Sequence, residues 1–393
     1  MLSTSVAAAI IAAAALVAPT PGGPERKTCR AKDGVPIVYT AAGRGESALV
    51  FIHGGFANRG FWDEQIKAFS PRHRVVALDL PGHGESGADR QKWGMPEFGD
   101  DVRAVVEAEG LQKVILFGNS LGGPIAVEAA LRLPGKVLGV VGVDTFQRLG
   151  GQSVEQARKQ AEAFRSDYAG SIKTMVKRLF HPDAPPSLMA DAEQRMLHTP
   201  PEVAYQMMLS LGGYDEPAAV GRLTVPLLAI NGDLYGTDLV NVRSVKPDFE
   251  VLVMKHMGHY PMLERPQEFD GHVSAAVAAL VRRAADGKPI QLAGALAAPQ
   301  PRKEVRLTPA QLDRCVGRYE IGPGFVLTIT REGDRLLSQA TGQPTIEIFA
   351  ESETDFFPKA FDAQLTFDLK EPGPAKSVVL HQGGRDVSAK RLE

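Results

Sequence analysis

The chain has 393 residues, of which 44% are hydrophobic and 23% charged. That balance excludes a disordered chain and leaves room for one large domain and one small one. With 44 basic and 46 acidic residues the net charge is −2, and no Lys/Arg run stands out, so no nucleic acid is expected as a partner.

The first feature in chain order is an apolar run at residues 6–18, built from Ala, Ile, Leu and Val. Pro19, Pro21 and Pro24 stop any helix there. The run falls short of the roughly 20 residues a membrane-spanning helix needs. Its length suits the apolar region of a signal peptide. Residues 1–24 are therefore expected to be a signal peptide or N-terminal tail, and the protein to be exported, periplasmic or secreted, with no stable membrane span. A plain Ala-rich tail is the alternative, because no Lys or Arg precedes the run. The two cysteines, Cys29 and Cys315, could pair in an oxidising compartment or stay as separate thiols.

Strand-like runs follow at residues 35–40, 48–52, 74–80, 113–117, 137–143, 225–230 and 249–254. Several are continuous apolar runs, as in strands buried on both faces. Helical text, such as residues 102–109, fills most of the gaps. The pattern predicts an α/β domain around a mostly parallel sheet over 29–283. Residues 147–222 break the alternation: they carry helical text, with Pro182, Pro185, Pro186, Pro200 and Pro201 as breaks, and no strand-like run. An insertion of that size between two strands reads as a helical cap over an active site. Residues 284–306 are rich in Gly, Ala and Pro and read as a linker. Beyond them, strand-like runs at 325–330, 335–338, 345–349, 364–369 and 377–381 predict a small antiparallel β domain over 307–393.

The chemistry concentrates in Gly118-Asn119-Ser120-Leu121-Gly122-Gly123, between a buried strand and a helix. G-x-S-x-G in that context is a nucleophile elbow. The turn is strained, and a side chain at either flanking glycine would meet the neighbouring strand or helix. Ser120 is thereby lifted out of the sheet at the start of a helix, where the Leu121 N–H faces a developing oxyanion.

Three further segments, in order, complete a pattern that resembles the α/β-hydrolase superfamily over about residues 29–283. They are His53-Gly54-Gly55-Phe56, the turn Asp79-Leu80-Pro81-Gly82-His83-Gly84-Glu85-Ser86, and Gly258-His259 before Met262-Leu263-Glu264-Arg265-Pro266. The resemblance implies Ser120 as nucleophile, His259 as base, and a second oxyanion N–H from Gly55 or Phe56. His53 and His83 read as loop braces. His256, three residues before His259, is the one rival base.

The acid that holds the imidazole in its working tautomer is left between two candidates. Relatives commonly take it from the loop after the strand ending at Ile230. There Asp233 stands about two residues short of the usual position, which is Tyr235. Other relatives use the preceding strand end, where Asp144 follows Val143. Asp144 is slightly favoured, and Asp238 is a distant third.

These residues predict a serine hydrolase that cleaves carboxylic esters through an acyl-enzyme. It needs no cofactor, and no histidine pair stands at metal-ligand spacing, so no metal is expected. The expected partner is a small-molecule, ester-like substrate. The cap residues Met175, Met189, Met196, Met207 and Met208, with Phe164, Phe180, Tyr168 and Tyr205, would favour an apolar acyl or alcohol group, although most of these positions are ordinary core. The same triad would serve lactone, amide or carbon–carbon bond hydrolysis, or a perhydrolase side activity. Epoxide and haloalkane hydrolases are disfavoured because they use a carboxylate where this chain has Ser120. A non-catalytic binding protein would carry a broken triad. The sequence does not address oligomeric state.

The C-terminal region has Cys315-Val316-Gly317-Arg318-Tyr319-Glu320 and Phe356-Phe357-Pro358. It resembles the small lipocalin-like domain appended to some penicillin-binding-protein-like serine peptidases. The resemblance implies an accessory role, with the aromatics as barrel core.

Overall fold

A computed structural model describes residues 23–297, 302–322, 324–343, 345–359, 363–382 and 385–392. The apolar run at 6–18 lies outside the described residues, as does Pro299-Gln300-Pro301 of the expected linker. Among the described residues, no helix is long and apolar enough to cross a membrane.

The N-terminal domain is built on an eight-stranded sheet. Its strands are β1 (Glu25–Arg30), β2 (Pro36–Ala42), β3 (Ala48–Ile52), β4 (Arg74–Leu78), β5 (Val114–Asn119), β6 (Val137–Val143), β7 (Leu227–Gly232) and β8 (Glu250–Met254). They stand in the order β1-β2-β4-β3-β5-β6-β7-β8. β3 to β8 run parallel, and β1 and β2 are antiparallel. The parallel strands are the continuous apolar runs of the sequence; β3, β5 and β7 are buried along their whole length, as helices on both faces require.

Between the strands lie α1 (Asp63–Phe69), α2 (Met95–Ala108) and α3 (Gly122–Arg132). Between β6 and β7 come α4 (Val154–Ser166), α5 (Tyr168–Leu179), α6 (Pro186–Met196), α7 (Pro201–Ser210) and α8 (Glu216–Gly221). These five helices occupy the segment expected as a cap. A capping box at Ser153 and Gln156 starts α4, and Pro185 and Pro200 stand immediately before α6 and α7. Then follow α9 (Leu239–Val245), α10 (Pro261–Glu264) and α11 (Pro266–Asp286).

Two boundaries differ from the sequence expectation. β1 begins at Glu25, ahead of the expected domain start at Cys29. It is an edge strand of polar, half-exposed residues, so it carries no apolar signal. At the other end α11 runs to Asp286 and stops on left-handed Gly287. The chain then returns to the sheet edge, where Leu296 N–H donates to the Val251 carbonyl at 2.8 Å. Ile290, Leu292 and Leu296 pack against the core. The first half of the expected linker therefore belongs to the N-terminal domain.

A short helix, α12 (Pro309–Asp313), precedes a closed antiparallel barrel. Its strands are β9 (Gly317–Gly322), β10 (Phe325–Glu332), β11 (Arg335–Ala340), β12 (Ile346–Ala350), β13 (Asp355–Pro358), β14 (Ala363–Phe367), β15 (Ser377–Gln382) and β16 (Arg385–Arg391). β9, β13 and β16 are not among the strand-like runs of the sequence. β16 closes the ring by pairing with β9, Lys390 opposite Glu320. Cys29 on β1 and Cys315 in the barrel core are both free thiols. Burial pushes the Cys315 thiol up to about 12.

Candidate active site

Ser120 stands at the turn from β5 into α3 with φ +50°. The flanking glycines are there because nothing else fits. A Cβ on Gly118 would lie 2.1 Å from the Gly122 carbonyl oxygen, and one on Gly122 2.6 Å from that of Ile52. The Ser120 N–H donates to the Val143 carbonyl at 3.0 Å, which ties the turn to the end of β6.

The loop after β3 passes directly over this serine. A Cβ on Gly54 would be 3.1 Å from the Ser120 Cβ. On Gly55 it would meet Met207 Cε at 3.0 Å and Leu121 Cδ2 at 3.9 Å. Gly54 is thus brought against Ser120 and Gly55 against Leu121. Two histidines brace the loops here. His53 Nδ1 donates to the Gly54 carbonyl at 2.7 Å and its Nε2 accepts from Leu80 N–H at 3.0 Å. Burial draws its pKa down to about 4, so the ring is neutral. His83 Nδ1 lies 3.1 Å from the Pro81 carbonyl, and burial lowers its pKa to about 3.

His259 comes from the loop after β8 and is buried. Its Nδ1 is hydrogen-bonded to Asp144 Oδ2. Asp144 sits just past β6, 1% exposed, with its other oxygen accepting from Gly232 N–H at 2.9 Å. Asp233 goes elsewhere: its carboxylate accepts from Met257 N–H at 3.1 Å. Burial raises its pKa, but the N–H groups of Met257 and His256 outweigh that and hold it below the ordinary carboxylate range. Asp238 caps α9 through Asn241 N–H at 3.0 Å. His256 meets His181 edge to face at 5.9 Å.

Among the described residues, five non-glycines have positive φ: Phe56, Ser120, Asp144, Phe146 and His256. Each such residue costs about 1–3 kcal/mol, and such strain gathers at functional sites. Here Phe56, Ser120 and Asp144 all belong to the one constellation.

Two bracing residues escaped the sequence reading. Asn119 Nδ2 donates to the Val143 carbonyl at 2.9 Å and the His259 carbonyl at 3.0 Å, and so ties β5, β6 and the histidine loop together. Its place as the variable residue of the elbow gave no sign of this. Glu264 accepts from the N–H groups of Gly258 at 3.2 Å, Tyr260 at 3.3 Å and His181 at 3.2 Å. It thereby wraps the histidine loop and binds it to the cap. His259 N–H itself donates to the cap's Leu179 carbonyl at 2.7 Å.

A cleft of about 560 Å³ opens among the cap helices beside Phe56; Phe164, Met175, Leu179 and Met208 form its apolar part, Gln160, Asp167, Thr174 and Arg178 its polar part, and Ser120 and His259 are not among its described lining residues. Met196 and Phe180 are instead packed core. Among the described residues, no group of three or more His, Cys, Asp or Glu stands together to hold a metal.

A profile of the Alpha/beta hydrolase family matches residues 49–271, and one for a domain of unknown function (DUF3471) matches residues 301–391. The chain is similar to the dihydrolipoyllysine-residue acetyltransferase component of the acetoin cleaving system of Pseudomonas putida. The two are 25% identical over 255 residues, which is 60% of this chain and 65% of that protein. It covers 29% of the corresponding Cupriavidus necator protein, so it spans less than two thirds of these relatives' length. It is also 25% identical over 249 residues to the pimeloyl-acyl-carrier-protein methyl ester esterase of Aliivibrio fischeri, covering 60% of this chain and 94% of that one. Among solved structures, a thermophilic esterase from Thermogutta terrifontis superposes with TM-score 0.58 at 24% identity, over 65% of this chain and 99% of that one, a likeness of fold. The parallel sheet, the elbow between β5 and α3, and a profile match over more than half its length agree: the chain belongs to the alpha/beta hydrolase family.

Proposed function

We propose that the protein is a serine hydrolase that cleaves carboxylic esters, with Ser120 as nucleophile, His259 as base and Asp144 as the acid that orients it. The observation that carries this reading is the buried Asp144–His259 pair, whose histidine carbonyl is bonded by Asn119, the residue before a serine held at positive φ. Asp144 accepts a hydrogen bond from Nδ1–H and stays ionised, which leaves Nε2 unprotonated to take the Ser120 proton as the oxygen attacks the ester carbonyl. The tetrahedral oxyanion is met by the N–H of Leu121 and that of Gly55 or Phe56. His259 then protonates the departing alcohol, and a water activated by the same ring clears the acyl-enzyme.

The apolar side of the cleft beside Phe56, formed by Phe164, Met175, Leu179 and Met208, supports an aliphatic or aromatic acyl group, although Gln160, Asp167, Thr174 and Arg178 line the same cleft. The Aliivibrio fischeri relative, matched over 94% of its length, is named for methyl ester hydrolysis. The test is a fluorophosphonate label followed by a panel of p-nitrophenyl esters, lactones and anilides. The expected result is one phosphonate per chain on the Ser120 peptide, with esters turned over fastest. Faster turnover of lactones or amides would transfer the same triad to that substrate class, and labelling elsewhere would refute the nucleophile.

Asn119→Ala removes both bonds that hold the His259 loop against β6. Displacing a base by about 1 Å costs roughly 100-fold. Steady-state kinetics on an activated ester should therefore register that loss in kcat with little change in KM. An unchanged kcat would show that Asn119 does not position His259.

A further inference from the structure

The barrel is filled at one end and hollow at the other. Inward positions alternate along each strand. Beside α12 they carry Tyr319, Phe356 and Phe367, which are fully buried with ring centroids 5.7 and 5.4 Å apart across Phe367. Towards the other end small residues, Ser338, Ala340 and Ala363, alternate with Ile321, Phe325, Ile346 and Leu380 around a cavity whose floor is Leu327, Ile348 and Leu365. The space left is about 650 Å³, larger than the cleft among the cap helices. An eight-stranded barrel is just wide enough to be packed solid or to hold one small molecule. A void this large is of ligand size, and an apolar wall offers water few of the partners it needs.

The polar part of the lining is sparse and one-sided. Among the described lining residues it consists of Ser338, Gln343, Gln382 and one charged side chain, Arg148, with no acid. Arg148 comes from the connection after β6. Its Nη1 lies 3.0 Å from Asp238 Oδ2, which engages part of a guanidinium with five donors.

We propose that this cavity binds one straight-chain aliphatic carboxylate, its tail against Leu327, Ile348 and Leu365 and its head at Arg148. The proposal does not depend on the chemistry at Ser120.

The test is calorimetric titration of the full chain with octanoate, decanoate and dodecanoate below their micelle concentrations. One site per chain is expected, tightening about fourfold per methylene. Ala340→Phe, which plugs the hollow end, should abolish dodecanoate binding while ester turnover is unchanged. Arg148→Gln should weaken dodecanoate about tenfold and leave dodecanol unaffected. A diazirine-tagged dodecanoate on the wild-type chain, which requires no variant to fold, should label peptides containing Leu327, Ile348 or Leu365. No saturable binding, affinity independent of chain length, full binding in Ala340→Phe, or labelling confined to the cap would each overturn the site. Equal weakening of dodecanol and dodecanoate by Arg148→Gln would overturn the carboxylate assignment.

Discussion

Ser120→Ala is expected to lower kcat on a short p-nitrophenyl ester by about a millionfold, with no loss of fold. That factor corresponds to roughly 8 kcal/mol of transition-state stabilisation. It is large because the hydroxyl is the reacting atom and no neighbour can replace it. The oxyanion donors and the substrate cavity survive the change, so turnover should remain about a thousandfold above the reaction in water. The fold should be indifferent, because the half-buried side chain is replaced by a smaller one. The strained φ of +50° is set by the surrounding β5–α3 turn rather than by the hydroxyl. Purified variant protein, assayed with an unchanged circular dichroism spectrum, would decide the matter. Turnover above one thousandth of wild type would rule out Ser120 as nucleophile.

The second large effect separates two carboxylates on adjacent strand ends. Asp144→Asn should cut kcat about ten-thousandfold, roughly 5 kcal/mol. Asparagine keeps the size, but it cannot stabilise the imidazolium and lets the ring adopt the wrong tautomer. Asp233→Asn should cost less than tenfold. The amide oxygen can still accept from Met257 N–H, and the change weakens the charge-assisted bonds from Met257 and His256, each worth about 1.5–3 kcal/mol. Its signature is a lowered thermal midpoint with kcat nearly intact. If Asp233→Asn is the more damaging to kcat, the acid has been misassigned.

Much of the site is legible without coordinates because its constraints are local. Gly118, Ser120 and Gly122 are dictated by sterics within five residues, and the close approaches to Gly122 and Ile52 are what that spacing anticipates. Asn119 and Glu264 were not legible. Their roles are hydrogen bonds to backbone atoms of segments distant in the chain, and no residue pattern encodes such a partner. The strands β1, β9, β13 and β16 were missed for a related reason. They are short or polar, and pairing partners rather than apolar periodicity make them strands.

What the sequence by itself determined is the parallel α/β core, the glycine-flanked elbow between β5 and α3, and the helical insertion between β6 and β7. Each of these rests on apolar periodicity or on backbone sterics, which act over a few residues. The tertiary structure alone decided which aspartate meets His259. β6 and β7 end side by side, and only the path of the loop after β8 brings the ring to Asp144 rather than Asp233. It alone also decided that the C-terminal strands close into a ring with one end hollow. Closure joins β9 to β16 across nearly the whole domain, a contact that no local signal in the chain encodes.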